Sequence, residues 1–164
     1  MNKTFRKIIY IALSLMALTS CNDWLDVSPK SQIKEEEQFS REGGYKDQLT
    51  GVYTAMSSTS MYGLNMGIGF TEVLSQSYDV DGDGDWRYAS QYDYANSSVE
   101  STISSIWNST YNAIANLNIM IRNIDKADST RFSDNNYYVY RGEAYGLRAF
   151  LHFDLMRLFA CAPA

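Results

Sequence analysis

VESTISSIWNSTYNAIANLNIMIRNID, residues 99–125, is the stretch of sequence that decides the fold. Its large apolar residues recur every three or four positions, which places them on one face of an α-helix. They are Val99, Ile103, Ile106, Trp107, Tyr111, Ile114, Leu117, Ile121 and Ile124. The pattern predicts one long amphipathic helix.

A second helical pattern occupies residues 135–160, after a short polar segment. Two long amphipathic helices with a short link predict an antiparallel hairpin, because the link forces their apolar faces together. Three rings, Tyr145, Phe150 and Phe153, lie off the main stripe, and we expect a further helix layer to cover them.

The residues before the hairpin carry weaker signals. An earlier helix is predicted over 41–56, with Ser40 as its N-terminal cap. Residues 57–96 are rich in Ser, Gly, Asp and Tyr, so we expect mostly loop there, with a short helix over 68–74. Because only helices are strongly signalled, the predicted fold class is all-α, with an irregular loop-rich insertion.

Residues 1–20 have the pattern of a signal peptide: a cationic start, an apolar run and small residues at the end. The run is too short to span a membrane. The ending L-T-S-C resembles a bacterial lipobox, which predicts a lipid on Cys21; the alternative is an ordinary secretory leader followed by an incidental cysteine. With Cys21 lipidated, Cys161 has no partner for an internal disulfide. Residues 21–38 are predicted to be an acidic tether.

From Cys21 onward the chain has 11 basic and 19 acidic residues, a net charge of −8. Such a surface repels phosphate backbones, which argues against nucleic-acid binding. Enzyme chemistry is also disfavoured. His152 is the only histidine, no nucleophile stands at motif spacing, and the sequence contains no phosphate loop or Cys/His cluster.

Ligand chemistry is expected in the irregular segment. Sugars present apolar C–H faces ringed by hydroxyl groups, so a glycan site needs aromatic platforms beside planar polar groups. The candidate glycan-binding residues are Trp86, Arg87, Tyr88, Tyr92 and Asn96, with Tyr78 and Tyr94 nearby. The alternative is that these rings cover the helix layer or meet a partner.

The same segment contains alternating carboxylates, as a calcium loop does. They are Asp79, Asp81, Asp83 and Asp85. Gly84 stands at the sixth position, but the twelfth is Ser90 and the bidentate glutamate is missing. The two interpretations are a weakly bound calcium ion, completed by another segment, and a solvated acidic turn.

Four motifs in this order, behind the lipobox, resemble the SusD/RagB family of outer-membrane nutrient-uptake lipoproteins. They are Trp24-Leu25-Asp26-Val27-x-Pro29; Phe39-Ser40 leading to Gly51-Val52-Tyr53; Trp107-x3-Tyr111-x2-Ile114-x3-Asn118; and Gly142-Glu143-Ala144-x2-Leu147-Arg148-Ala149-x3-Phe153-Asp154-Leu155-x-Arg157-Leu158-Phe159.

The resemblance implies tetratricopeptide-like helical hairpins. Residues 39–164 would be the N-terminal helical domain, incomplete at its C-terminus. It also implies a lipid-anchored, surface-exposed protein of the outer membrane that captures an oligosaccharide or other nutrient. Such a protein hands its ligand to a SusC-like TonB-dependent transporter without cleaving a bond. The alternative is a truncated fragment that keeps only a helical protein-interaction surface and binds no ligand.

Packing roles are predicted for several residues of these four motifs. Trp107, Tyr111 and Ile114 are expected to fill the space between antiparallel helices. Arg148 lies on the apolar side and needs an acceptor if buried, and Asn118 is expected to bond to backbone. Asp154 and Arg157 are expected to pair at the surface.

Overall fold

Helices are the regular elements of the computed structural model, which describes residues 35–82 and 84–160. They are α1 (Glu35–Gln38), α2 (Glu42–Met56), α3 (Phe70–Leu74), α4 (Asp85–Ser90), α5 (Ser97–Ile124) and α6 (Asn136–Phe159). A 3-10 turn, Ser129–Arg131, lies between the last two helices. These residues contain no β-strand, so the all-α prediction is confirmed for the described part of the chain.

The predicted hairpin is confirmed, since α5 packs along α6, and α2 packs against both helices in a shared core. Asn96 is the N-terminal cap of α5. Its Oδ1 accepts a hydrogen bond from the Ser98 backbone N–H, at 3.0 Å. Most of the apolar stripe is buried as its spacing predicts, but Ile103 is half-buried and Trp107 and Tyr111 are exposed. The buried α5 residues are Val99, Ile106, Thr110, Ala113, Ile114, Leu117, Met120, Ile121 and Ile124.

Helix α2 has nearly the predicted bounds, but its predicted cap is wrong. Arg41 stands at the cap position and makes no side-chain capping bond. The Ser40 hydroxyl instead donates to the Glu37 carbonyl, at 2.7 Å. Tyr45, Leu49 and Val52 are buried in the core shared with α5 and α6.

The structure differs from the predicted tether at residues 35–38, which form helix α1. The Glu35 carboxylate accepts hydrogen bonds from Arg122 and Asn123 of α5, each at 2.7 Å. These hydrogen bonds hold the pKa of Glu35 below its usual value, and the bond from Arg122 has the largest effect. The close approach of α1 to α2 also requires glycine at position 44, because a Cβ there would lie 1.7 Å from the Gln38 carbonyl oxygen. Helix α1 is thus bonded to α5 and belongs to the compact unit that begins at Glu35.

A second, smaller core joins α3, α4 and α5. Its buried residues are Phe70, Val73, Ala89, Val99 and Ile106. Helix α3 falls inside the predicted 68–74 range, whereas α4 lies in a stretch that was expected to be loop. Six residues are too few to show a period of 3.6, so the sequence alone does not reveal α4.

The expected roles of two aromatic residues are wrong. Trp107 and Tyr111 are each 41% exposed, while Ile114 is buried as expected. The Trp107 ring lies at the edge of the hairpin, 4.7 Å from the Tyr111 ring and 5.0 Å from that of Phe159 on α6. Of the three rings off the main stripe, Phe150 and Phe153 are exposed, whereas Tyr145 is half-buried and packs against the core of α2, α5 and α6.

Arg148 has the acceptor that it was expected to need. Its guanidinium donates to Asn118 Oδ1 at 3.1 Å and lies over the Tyr145 ring. Asn118 therefore accepts from a side chain of α6 and not from backbone, which corrects its predicted role. The contact ties the two long helices together on their outer side.

Asp154 is another correction, because it is only 6% exposed. It pairs with Arg157 at 3.1 Å and also accepts a hydrogen bond of 2.6 Å from the Tyr62 hydroxyl. Burial, and then this bond to the carboxylate, raise the pKa of Tyr62 far above its usual value. Tyr62 comes from a turn 92 residues earlier, so local sequence could not reveal the burial.

Several predictions concern residues outside the described part of the chain. They include the signal peptide, the lipidated Cys21, the unpaired Cys161 and Asp83 of the acidic loop. Within the described part, none of the helices combines the length and apolar character that crossing a membrane requires.

Candidate functional site

An open depression lies between the turn before α3, helix α3 itself and helix α4. Its volume is about 320 Å³. The lining residues are Leu64, Ile68, Gly69, Val73, Tyr78, Asp79, Val80, Asp81 and Trp86. The floor is apolar and the rim carries a tyrosine and two carboxylates, so the surface offers both stacking and hydrogen bonding.

Trp86 forms one wall of this depression and is half-buried. Its lower part packs on the core formed by α3, α4 and α5. Gly69 makes room for it, because a Cβ at that position would lie 2.9 Å from Trp86 Cη2 and 2.9 Å from the Leu64 carbonyl oxygen. The indole is thus fixed by packing while its remaining surface faces the depression, which is the state a stacking platform requires.

Two carboxylates of the predicted calcium loop line the depression. Asp79 and Asp81 line the depression, and Asp85 begins α4. Among residues 35–82 and 84–160, no three His, Cys, Asp or Glu side chains are grouped closely enough to hold a metal ion. Asp83 lies outside those residues, and the calcium site stays a prediction.

The structure separates the five predicted glycan-binding residues. Trp86 lines the depression, and Arg87 and Tyr88 follow it on α4 with exposed side chains. Tyr92 and Asn96 lie beyond the end of α4. Tyr78, which was noted only as a neighbour, lines the depression and is 51% exposed.

Two of the five residues have local structural contacts. Asn96 Oδ1 caps α5, accepting from both the N–H and the hydroxyl of Ser98. The Tyr92 hydroxyl donates to the Leu74 carbonyl, at 3.0 Å. Contact of any of the five with a glycan stays a prediction, and the geometry favours Trp86.

Sequence reasoning missed Gly69 and Gln76 as residues that shape this region. Gly69 precedes a short apolar helix, and that position is its only sequence signal. Gln76 carries no signal for its contact with Ser90, because Ser90 is on a different helix; its Nε2 donates to the Ser90 carbonyl at 2.9 Å and also to the Val73 carbonyl at 3.3 Å. Both act through neighbours distant in sequence, which periodicity cannot report.

Comparisons with known proteins agree with the fold. A family model, SusD-like and described as starch-binding and associating with the outer membrane, matches residues 23–164. A protein described as SusD-like, from Formosa agariphila, is 24% identical over an alignment that covers 95% of this chain. That alignment covers 30% of the relative, so the chain spans less than a third of its length. No solved structure matches the chain.

Proposed function

This chain belongs to the SusD-like family, and we propose that it is part of a lipid-anchored outer-membrane protein that binds a glycan nutrient. The observation that carries the proposal is the Trp86 depression, in which a packed indole and an exposed Tyr78 flank an apolar floor. Aromatic rings of this kind stack on the C–H faces of sugars, while the rim carboxylates can accept hydrogen bonds from hydroxyl groups.

The function is binding and transfer without bond cleavage. The family description supports a starch-like ligand at the outer membrane. We further propose that the protein delivers this ligand to a SusC-like TonB-dependent transporter and that lipid on Cys21 holds it at the cell surface.

Titration with a starch oligosaccharide tests glycan binding. We expect Trp86→Ala to weaken the affinity of the full chain by about tenfold, which corresponds to ~1.4 kcal/mol of lost contact. The matched control is Trp107→Ala, which removes the same side chain from the edge of the hairpin. Equal losses in both variants, or no loss in Trp86→Ala, would contradict the proposed site.

Metabolic labelling with palmitate tests the anchor. We expect the full chain and its Cys161→Ser variant to carry label in the membrane fraction, and Cys21→Ser to carry none. Label that persists in Cys21→Ser would overturn the lipidation proposal.

A second candidate function is a helical protein-interaction surface without ligand binding. It is favoured by the exposed apolar side chains of α6, among them Phe150, Phe153 and Met156. In that case the full chain should bind a hydrophobic dye, Phe150→Ser and Phe153→Ser should reduce the dye signal, and no glycan should bind. Glycan binding that depends on Trp86 would exclude this alternative.

A further inference from the structure

Helix α3 ends in a cap that places an unusual residue in the left-handed region. The Gln76 N–H donates to the Val73 carbonyl and the Ser77 N–H to the Glu72 carbonyl, both at 3.0 Å. This pair of bonds is a Schellman motif. Gln76 occupies its left-handed position, with φ of 60°, where glycine is the usual residue.

Helix α4 ends in the same way. The Tyr92 N–H donates to the Ala89 carbonyl at 3.0 Å and the Asp93 N–H to the Tyr88 carbonyl at 2.9 Å. Tyr92 occupies the left-handed position, with φ of 58°. Two neighbouring helices therefore share one type of cap, and each cap carries a long polar side chain where glycine would be free of strain.

The two side chains reach across to the opposite helix. Gln76 Nε2 donates to the Ser90 carbonyl at 2.9 Å, and the Tyr92 hydroxyl donates to the Leu74 carbonyl at 3.0 Å. Ser90 and Leu74 are the last residues of α4 and α3. Each side chain thus satisfies a terminal carbonyl of the other helix. We call this reciprocal pair of bonds the clasp.

The clasp joins the two helices that form the Trp86 depression. Val73 lies on α3, Trp86 lies on α4, and Tyr78 lies on the segment between them. The C-terminal ends of α3 and α4 are held together where Gln76 and Tyr92 meet the opposite helices. Separation of α3 from α4 would move Trp86 relative to Val73 and Tyr78, and the clasp opposes that motion.

We propose that the clasp keeps the depression in its binding shape, so that Gln76 and Tyr92 are positioning residues for the ligand. This inference rests on the proposed glycan-binding function. If the clasp opens, only a fraction of molecules can bind, and the apparent Kd rises in inverse proportion to that fraction.

The test compares Gln76→Gly and Tyr92→Phe with the matched control Tyr138→Phe, an exposed tyrosine of α6, in the full chain. Glycine keeps the cap and removes both the backbone strain and the clasp bond, so the melting temperature should stay near that of the wild type. We expect Gln76→Gly and Tyr92→Phe each to raise the Kd for maltoheptaose by roughly two- to twelvefold, the range for loss of one hydrogen bond. Tyr138→Phe should leave the Kd unchanged.

Amide hydrogen exchange of the ligand-free chain gives a second readout. In both clasp variants we expect faster exchange over residues 84–93 and unchanged exchange in α5. An unchanged Kd and unchanged exchange in both variants, beside a binding wild type that depends on Trp86, would overturn the clasp and leave the proposed function standing. A wild type that binds no glycan would overturn the proposed function, and with it the positioning role.

Discussion

Residues 35–96 and residues 97–160 are held together by different kinds of interaction. The first region has 11 acidic and 3 basic residues, whereas the second has 6 of each. The second is a hairpin whose stripe of apolar side chains is buried along α5. The first also buries apolar side chains in the two cores, and its helices α3 and α4 are joined in addition by the polar clasp.

This difference in interactions indicates which region supplies stability and which region can carry a binding surface. Burial of a periodic stripe makes a rigid frame, because each apolar side chain lost from water stabilises the fold. Exposed polar contacts contribute less each, since water competes for the same groups. The hairpin therefore supplies stability, and the region before it can carry a binding surface whose shape depends on a few hydrogen bonds.

The largest expected effect tests the hairpin. Leu117 is fully buried between α2, α5 and α6, and Leu117→Ala should lower the free energy of unfolding by about 2–5 kcal/mol. Denaturant titration measures it. The control is Val139→Ala on the exposed side of α6, with an expected change within about 0.5 kcal/mol. Comparable losses in the two variants would contradict the idea that burial in this core holds the hairpin.

A smaller effect is expected where the two regions meet. Tyr62→Phe leaves the buried Asp154 carboxylate without its hydrogen bond from the turn, which should cost about 1–3 kcal/mol of unfolding free energy. Tyr53→Phe is the matched control, because its exposed hydroxyl also donates to a carboxylate, that of Glu143. Similar losses in both would show that burial of Asp154 does not matter.

The smallest effect is a pH dependence. The Glu42 carboxylate accepts bonds from the backbone N–H of Ser133 and from the side chains of Ser133 and Asn136, which hold the pKa of Glu42 below its ordinary 4.5. A lowered folded-state pKa stabilises the fold above the unfolded-state value, and this contribution is lost as the pH falls through the folded-state pKa.

The measurement for this last prediction is the melting temperature as a function of pH. Glu42→Gln should be less stable than the wild type at pH 7, and the two curves should converge below pH 4.5 as Glu42 is protonated. Parallel curves at every pH would contradict a role for the Glu42 charge.

The hairpin could be predicted from sequence because its pattern is long and regular. Within a pattern of 26 residues, the spacing of Ile106, Ile114 and Leu117 places them on one face of a helix. The short link to the next helix is compatible only with an antiparallel hairpin. Trp107 and Tyr111 were misjudged because spacing gives a residue's face but not how far the neighbouring helix extends over it.

The candidate site could be predicted only in part. A cluster of aromatic residues indicated Trp86, but α4 is too short to show a period and Gly69 acts through a contact with the Trp86 ring. The clasp had no signal, since Gln76 and Tyr92 occupy positions where glycine or asparagine is expected. Contacts between segments distant in sequence decide these features, and local pattern does not contain them.

The packing of α2 on α5 has a consequence for synthesis. Gln48 of α2 bonds to Asn116 of α5, 68 residues later. At roughly 5–20 residues per second, a ribosome adds that partner about 3 to 14 seconds after Gln48. During this interval the apolar face of α2, with Leu49 and Val52, has no helix to cover it. The packing of α2 therefore cannot be completed until α5 has been made.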